Sequence, residues 1–215
     1  MTITGPEQSS WTIVIPVKGL AAAKSRMSAD GSRGTGVLAL AFFQDTVLAA
    51  RACDRVSLVV VTTSDPLVGS WATDHGCAVV SDAGHPGINA AAAHAARHFA
   101  GESGIAVVVS DLPSATPAAM GLALDLAARY PVSFLADLDG TGTTMWMTAR
   151  GGLAEPAFGP SSRAAHRIAG AADLVDRHGD LPGLRAVRRD VDTATDLAQA
   201  RAMGVGPHTQ AATLG

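Results

Sequence analysis

The sequence predicts a single α/β domain built on a mostly parallel, doubly wound sheet, and three observations predict it. The chain has 215 residues, roughly one and a half average domain lengths, which suits one generous core and falls short of two complete ones. Hydrophobic residues make up 47 % and charged residues 16 %, a balance that favours folding over disorder. Short runs of valine and isoleucine alternate with helix-patterned stretches, and continuous apolar strands separated by helices belong to parallel sheets covered on both faces. In such a sheet ligands sit beyond the carboxyl ends of the strands.

The elements follow in order. WTIVIPV at 11–17 is β-branched and bounded by Ser and Lys-Gly, which predicts a buried strand; residues 37–53 then carry a helical apolar pattern. VSLVVVTT (56–63) reads as a strand, DPLVGSWATDH as a helix, CAVVSD as a strand, and 88–100 as an alanine-rich helix. IAVVVSD (105–111) is a strand, 117–129 a helix, and PVSFLAD (131–137) a strand that opens on proline. After Asp139 the rhythm changes. GTGTTMWMTARGG reads as a strand or hairpin and EPAFGPSS as a turn-rich loop, so about 140–160 is expected to be an inserted segment. A helix at 162–172, a strand at 184–191 and a helix at 194–202 are expected to close the domain, with 204–215 a frayed tail.

Sixteen Lys plus Arg against nineteen Asp plus Glu give a net charge of −3, and the pI is near 6.1, with no basic block to follow a phosphate backbone. Nucleic acid is therefore not expected as a partner. Cys53 and Cys77 lack disulfide-scaffold or zinc spacing, the first ten residues are polar, and the apolar runs are too short to span a bilayer. A cytoplasmic protein without a membrane partner is expected.

Arginine outnumbers lysine fourteen to two, and both lysines, Lys18 and Lys24, lie in IPVKGLAAAKSRM after the first strand. Chance in a GC-rich coding sequence would explain the ratio; the alternative is a loop where a compact, flexible charge meets phosphate. There Lys18, Lys24 and Arg26 would present three cations at the ligand edge, which suits a polyphosphate. The loop is not a Walker motif, since the second glycine is missing, and GSRGTG at 31–36 follows no strand.

SDLP (110–113) ends a strand with Asp111 exposed at the ligand edge, and RRDVDT carries Asp190 near another strand end. Two hard oxygen ligands from different strand ends can hold Mg²⁺ together with phosphate oxygens and waters. Asp192, Thr193 and Asp196 are read instead as a helix start, with Thr193 and Asp196 forming a capping box. His94 and His98 share a helix face but lack a third ligand and read as surface histidines. No serine lies in GxSxG, so a hydrolase elbow is not supported. GTGT (140–143) and FGPSS (158–162) offer backbone N–H groups and hydroxyls to an anion, although glycine turns are common for other reasons.

Taken in order, IPVK, KSRM, GIN, SDLP, GTGT, FGPSS and DVDT followed by DL resemble the 2-phospholactate and phosphoenolpyruvate guanylyltransferase family of deazaflavin coenzyme (factor 420) biosynthesis. The likeness spans nearly the whole chain. It implies a compact, Rossmann-like member of the nucleotide-diphospho-sugar transferase fold, with Asp111 and Asp190 as ligands of Mg²⁺. It also implies that Thr143, Gly159 and Ser162 hold a small phosphorylated carboxylic acid, and that Pro16, Lys18, Lys24, Gly87 and Asn89 border GTP. The implied reaction is attack of the acid's phosphate on the α-phosphorus of GTP, with Lys18, Lys24 and Arg26 as the catalytic cations. Ser110 stands where the family has glycine, and PVKGLAAAKSR replaces the AGG-type loop of wider nucleotidyltransferases. Phosphoenolpyruvate is the acid expected; 2-phospho-L-lactate and 3-phosphoglycerate carry the same two anions. Competing readings are another nucleotidyltransferase, such as a molybdopterin guanylyltransferase, and a catalytically silent nucleotide-binding scaffold. A homodimer and hand-over of the product to the next enzyme are left open.

Overall fold

The computed structural model describes residues 10–18, 34–85, 87–99, 103–149 and 155–214. Lys24 and Arg26 lie outside the described residues, as does the first half of GSRGTG, while its second half opens α1. The first half comprises β1 (Trp11–Pro16), α1 (Gly34–Arg51), β2 (Val56–Thr62), α2 (Pro66–Asp74), β3 (Ala78–Val80), α3 (Ile88–His98), β4 (Gly104–Val108) and α4 (Pro117–Ala127). The second comprises β5 (Val132–Ala136), β6 (Thr143–Thr148), α5 (Ser162–Ile168), β7 (Ala172–Asp173), α6 (Leu174–His178), a 3-10 helix (Pro182–Val187), α7 (Ala194–Met203) and α8 (Pro207–Leu214).

Seven strands form one sheet in the order β3-β2-β1-β4-β6-β5-β7. The strands β1 to β4 pair in parallel, as do β5 and β7, while β6 is antiparallel to both of its neighbours. The mostly parallel α/β domain predicted from the apolar runs is the observed architecture. Alternate residues feed opposite faces, as the pleat requires. Ile13, Ile15, Val59, Val61, Val108 and Met145 pack on one side, against Phe43 of α1 and Leu124 of α4. Val14, Val60, Val107, Phe134 and Trp146 pack on the other, against Ala92 and Ala95 of α3 and against Phe158. Both faces are covered, which is why the strands read as continuous rather than alternating apolar runs.

Three expectations are corrected. The strand expected in the inserted segment forms, but as β6 in the middle of the sheet, between β4 and β5. The strand expected at 184–191 is instead the 3-10 helix followed by irregular chain. Leu184 and Val187 are both fully buried and three residues apart, so the burial follows a helical period rather than the period of two that a strand needs. The tail expected to be frayed at 204–215 is ordered over its described residues, 204–214: α8 packs on α1, and the carboxylate of Asp45 in α1 accepts the backbone N–H groups of His208 (3.0 Å) and Thr209 (2.8 Å). A cap supplied from another helix satisfies donors that the local sequence leaves open. Gly206 makes this docking possible, because a Cβ there would collide with the Asp45 carboxyl. Among the described residues no helix is long and apolar enough to cross a membrane.

Candidate active site

The carboxyl ends of β1, β4 and β5 and the amino end of β6 meet at one edge of the sheet. Val14 pairs with Val107, Val108 with Met145, and Ala136 with Thr143, which fixes that alignment. The loop holding Asp111 leaves β4 there, and it is pinned at three points. The Thr46 hydroxyl of α1 accepts the Leu112 N–H at 3.0 Å, the Asp111 carbonyl accepts the Val191 N–H at 3.1 Å, and the Pro113 carbonyl accepts the Gly206 N–H at 2.9 Å.

The Val191 bond lays residues 188–191 across the edge and brings Asp190 beside Asp111. Two arginines hold this crossing segment. Arg188 donates from Nε to the Ala136 carbonyl (2.9 Å) and from Nη2 to the Asp137 carbonyl (2.9 Å), and pairs with Asp180. Arg189 pairs with Asp139 (3.0 Å) and Asp196 (3.0 Å). Thr193 and Asp196 form the expected capping box of α7, which anchors the far end. Desolvation pushes the Asp190 carboxyl up to about 7, and the negative charges of Asp111, Asp137 and Asp192 push the same way. A carboxylate in that setting gains from a nearby cation, so the donor set fits a hard divalent metal. Among the described residues no group of three or more His, Cys, Asp or Glu is arranged to hold one. A metal at Asp111 and Asp190 would therefore complete its shell with substrate oxygens and water, as Mg²⁺ commonly does.

The other half of the edge is built around GTGT. Its turn is closed by the chain's own anion: Asp137 accepts the N–H groups of Thr141 (3.0 Å) and Gly142 (2.7 Å). Two of the GTGT amides offered to an anion are thus bonded within the chain. Arg163 grips the same turn from outside, donating from Nη1 to the Gly140 carbonyl (3.1 Å) and from Nε to Asp173 (2.7 Å). Thr143, at the start of β6, bonds through Oγ1 to His166 Nδ1 at 3.0 Å. His166 Nε2 accepts the Ala157 N–H at 2.8 Å, so the imidazole links β6 to the 155–161 loop. Burial pushes His166 down to about 4.

Asn89, in the first turn of α3, makes a two-way bond with the Phe158 peptide, donating to its carbonyl at 2.9 Å and accepting its N–H at 2.7 Å. The GIN and FGPSS segments, expected on opposite substrates, are therefore joined. Ser162 is buried and its N–H closes a turn on the Gly159 carbonyl at 3.1 Å. Gly159 has φ 140, a backbone state that disfavours residues with a Cβ. Pro16 ends β1 at the same edge, and Lys18 is exposed just beyond it. His94 stacks on His85 at 4.0 Å, and among the described residues no group of three or more His, Cys, Asp or Glu is arranged there to hold a metal. The sequence reading missed His166, Arg163, Arg188 and Asp137. The only available signal was Asp137 at a strand end, the feature that marked Asp111.

Comparison with known proteins bears on the family and the fold. Residues 11–166 match the family described as "Guanylyl transferase CofC like". A phosphoenolpyruvate guanylyltransferase of Streptomyces avermitilis is 46 % identical over 208 residues, covering 94 % of this chain and 93 % of the relative. One of Streptomyces coelicolor is 47 % identical over 206 residues, with 94 % of each chain covered. Among solved structures, a nucleotidyl transferase from Methanothermobacter thermautotroptrophicus superposes with TM-score 0.60 at 15 % identity, over 90 % of this chain and 96 % of that one. A 4-diphosphocytidyl-2C-methyl-D-erythritol synthase superposes with TM-score 0.57 at 14 % identity, over 91 % and 99 %. At such low identity the superpositions speak for the fold alone, which is that of nucleotidyltransferases. The family match over most of the length and the relatives near half identity go further: the chain belongs to the guanylyl transferase CofC-like family.

Proposed function

We propose that the protein transfers GMP from GTP to the phosphate of phosphoenolpyruvate, giving enolpyruvoyl-2-diphospho-5'-guanosine and pyrophosphate for deazaflavin coenzyme biosynthesis. A phosphate oxygen of the acid bonds to the α-phosphorus of GTP as the bond to the β-phosphate oxygen breaks, and pyrophosphate leaves with its electron pair. The observation that carries the reading is the meeting of Asp111 and Asp190 with Thr143 at one sheet edge, in a chain whose relatives are named for this activity.

In this reading Asp111 and Asp190 hold Mg²⁺, which when bound supplies screening between the two anionic substrates. Lys18, Lys24 and Arg26 neutralise the departing pyrophosphate, and Pro16 and Gly87 border the nucleotide. Thr143, Gly159 and Ser162 hold the acid. Asn89 sets the spacing between the two substrates through its bonds to Phe158. No covalent intermediate is required; the residues align two anions and hold them against repulsion. The product is a reactive phosphoanhydride that still carries its enol ester, which favours direct hand-over to the enzyme that consumes it.

The test is incubation with GTP, Mg²⁺ and, separately, phosphoenolpyruvate, 2-phospho-L-lactate and 3-phosphoglycerate, read by pyrophosphate release and product mass. The highest kcat/KM is expected with phosphoenolpyruvate. The acids differ in shape at one carbon, worth about 1 to 3 kcal/mol, so slower turnover of the others is expected too. A clear preference for another acid replaces the substrate, and no guanylyl transfer to any acid overturns the proposal.

A further inference from the structure

His166 had no part in the motifs, yet it sits wholly buried behind the proposed acid site, and the direction of its hydrogen bonds can be worked out. Its Nε2 receives the Ala157 N–H at 2.8 Å. A backbone amide only donates, so Nε2 carries no proton. The ring is enclosed by Trp146, stacked at 4.5 Å between centroids, and by Phe134 (5.2 Å) and Phe158 (5.8 Å), surroundings that exclude an imidazolium. A neutral imidazole has one N–H, which must then be on Nδ1. Nδ1 faces Thr143 Oγ1 at 3.0 Å, so the threonine oxygen is the acceptor of that bond. The hydroxyl proton of Thr143 must point elsewhere.

We propose that His166 is a positioning residue that fixes Thr143 as a hydrogen-bond donor toward the anion of the acid substrate. The inference rests on the reading of Thr143 as an acid-binding residue and deepens it. A freely rotating hydroxyl presents a lone pair to an anion as readily as a proton, and ordering it on binding costs affinity. The Nδ1–H bond occupies one lone pair and leaves the hydroxyl proton for the ligand. Thr143 keeps 7 % exposure while His166 has none, so the threonine is the member of the pair that a ligand can reach. Because Ala157 precedes Phe158 and Gly159, the same ring also sets where the 155–161 loop begins.

The test uses steady-state kinetics on the intact chain. In His166→Gln the side-chain oxygen keeps an acceptor near the Ala157 N–H while the donor to Thr143 is lost. KM for phosphoenolpyruvate is expected to rise about tenfold, the scale of one hydrogen bond, with kcat and KM for GTP within about threefold of wild type. Thr143→Val is expected to give a similar rise, and the double variant no further rise, since one interaction is lost only once. If Thr143→Val leaves KM for the acid unchanged, the acid-site reading fails and this inference with it. If Thr143→Val raises it and His166→Gln does not, only this inference is overturned. Should His166→Gln not fold, His166→Asn and His166→Leu decide. Asparagine restores an N–H near the Nδ1 position and, like leucine, lacks the acceptor for Ala157, so KM is expected to rise less in asparagine than in leucine; equal values for the two overturn the proposal.

Discussion

Burial acts in opposite directions on Asp190 and His166, pushing the carboxyl up to about 7 and the imidazole down to about 4. For the histidine this has a stability consequence with a definite sign. Its folded value lies below the ordinary 6.5, so its contribution is fully present above pH 6.5 and is lost as pH falls toward 4, because the unfolded chain binds the proton more readily. The loss is of order 3 kcal/mol. Urea unfolding of wild type and His166→Gln between pH 7.5 and 4 should show a steeper decline for wild type over that window; parallel curves would refute it. For the aspartates, Asp111→Asn and Asp190→Asn should each lower guanylyl transfer by about 100-fold or more without unfolding the chain, and the double variant should be little worse than either. Full activity in Asp190→Asn would move the role to Asp192. The places of Asp111 and Thr143 at the sheet edge were legible because strand ends and glycine turns mark a ligand edge, whereas Asp190 was singled out on a strand that does not form and stands instead on irregular chain tied to the Asp111 carbonyl through Val191. His166 was not legible, because in SRAAHRI it reads as one more polar helix residue, and its partners Ala157 and Thr143 are 9 and 23 residues away.

The helices and turns show the same division between local and distant causes. The alternation of strands and helices was readable because both faces of the sheet are covered, which makes each strand an unbroken apolar run. The 182–191 segment misled because Leu184, Val187 and Val191 are apolar and buried, but on a helical spacing and in separate clusters. The C-terminal helix was unreadable for a different reason: Asp45, which caps it, lies more than 160 residues earlier. Replacing that residue tests the docking. Asp45→Ala leaves the His208 and Thr209 N–H groups without their acceptor, and Thr209 is fully buried. The expected loss is about 2 to 3 kcal/mol in urea unfolding, and a loss below about 0.5 kcal/mol would show that α8 is held by apolar packing alone. Since Gly206 also bonds to Pro113, the same variant should weaken Mn²⁺ binding measured by electron spin resonance in the absence of substrate.

Across the whole molecule, β6 joins the part that carries Pro16 and Asp111 to the part that carries β5 and β7. Besides it, the Asn89 pair and the Val191 bond cross between them. Ligand binding to this assembled state should stabilise it. GTP with Mg²⁺ at one hundred times its dissociation constant contributes about 2.7 kcal/mol, which for a chain of this size raises Tm by about 5 to 10 °C. Chelation should remove most of that shift, and an unchanged shift would remove the metal from nucleotide binding. The central position of β6 also matters during synthesis. As the chain leaves the ribosome, β4 can pair at once with β1, but its other edge has no partner until residues 143–148 emerge. Ile105 to Val108 is an uncharged edge, β-branched at three of its four residues, of the kind that recruits strands from other chains. Chains released before Thr143 should therefore aggregate, whereas chains released after Thr148 should not, and pelleting of arrested nascent chains of graded length would reveal the change at that point.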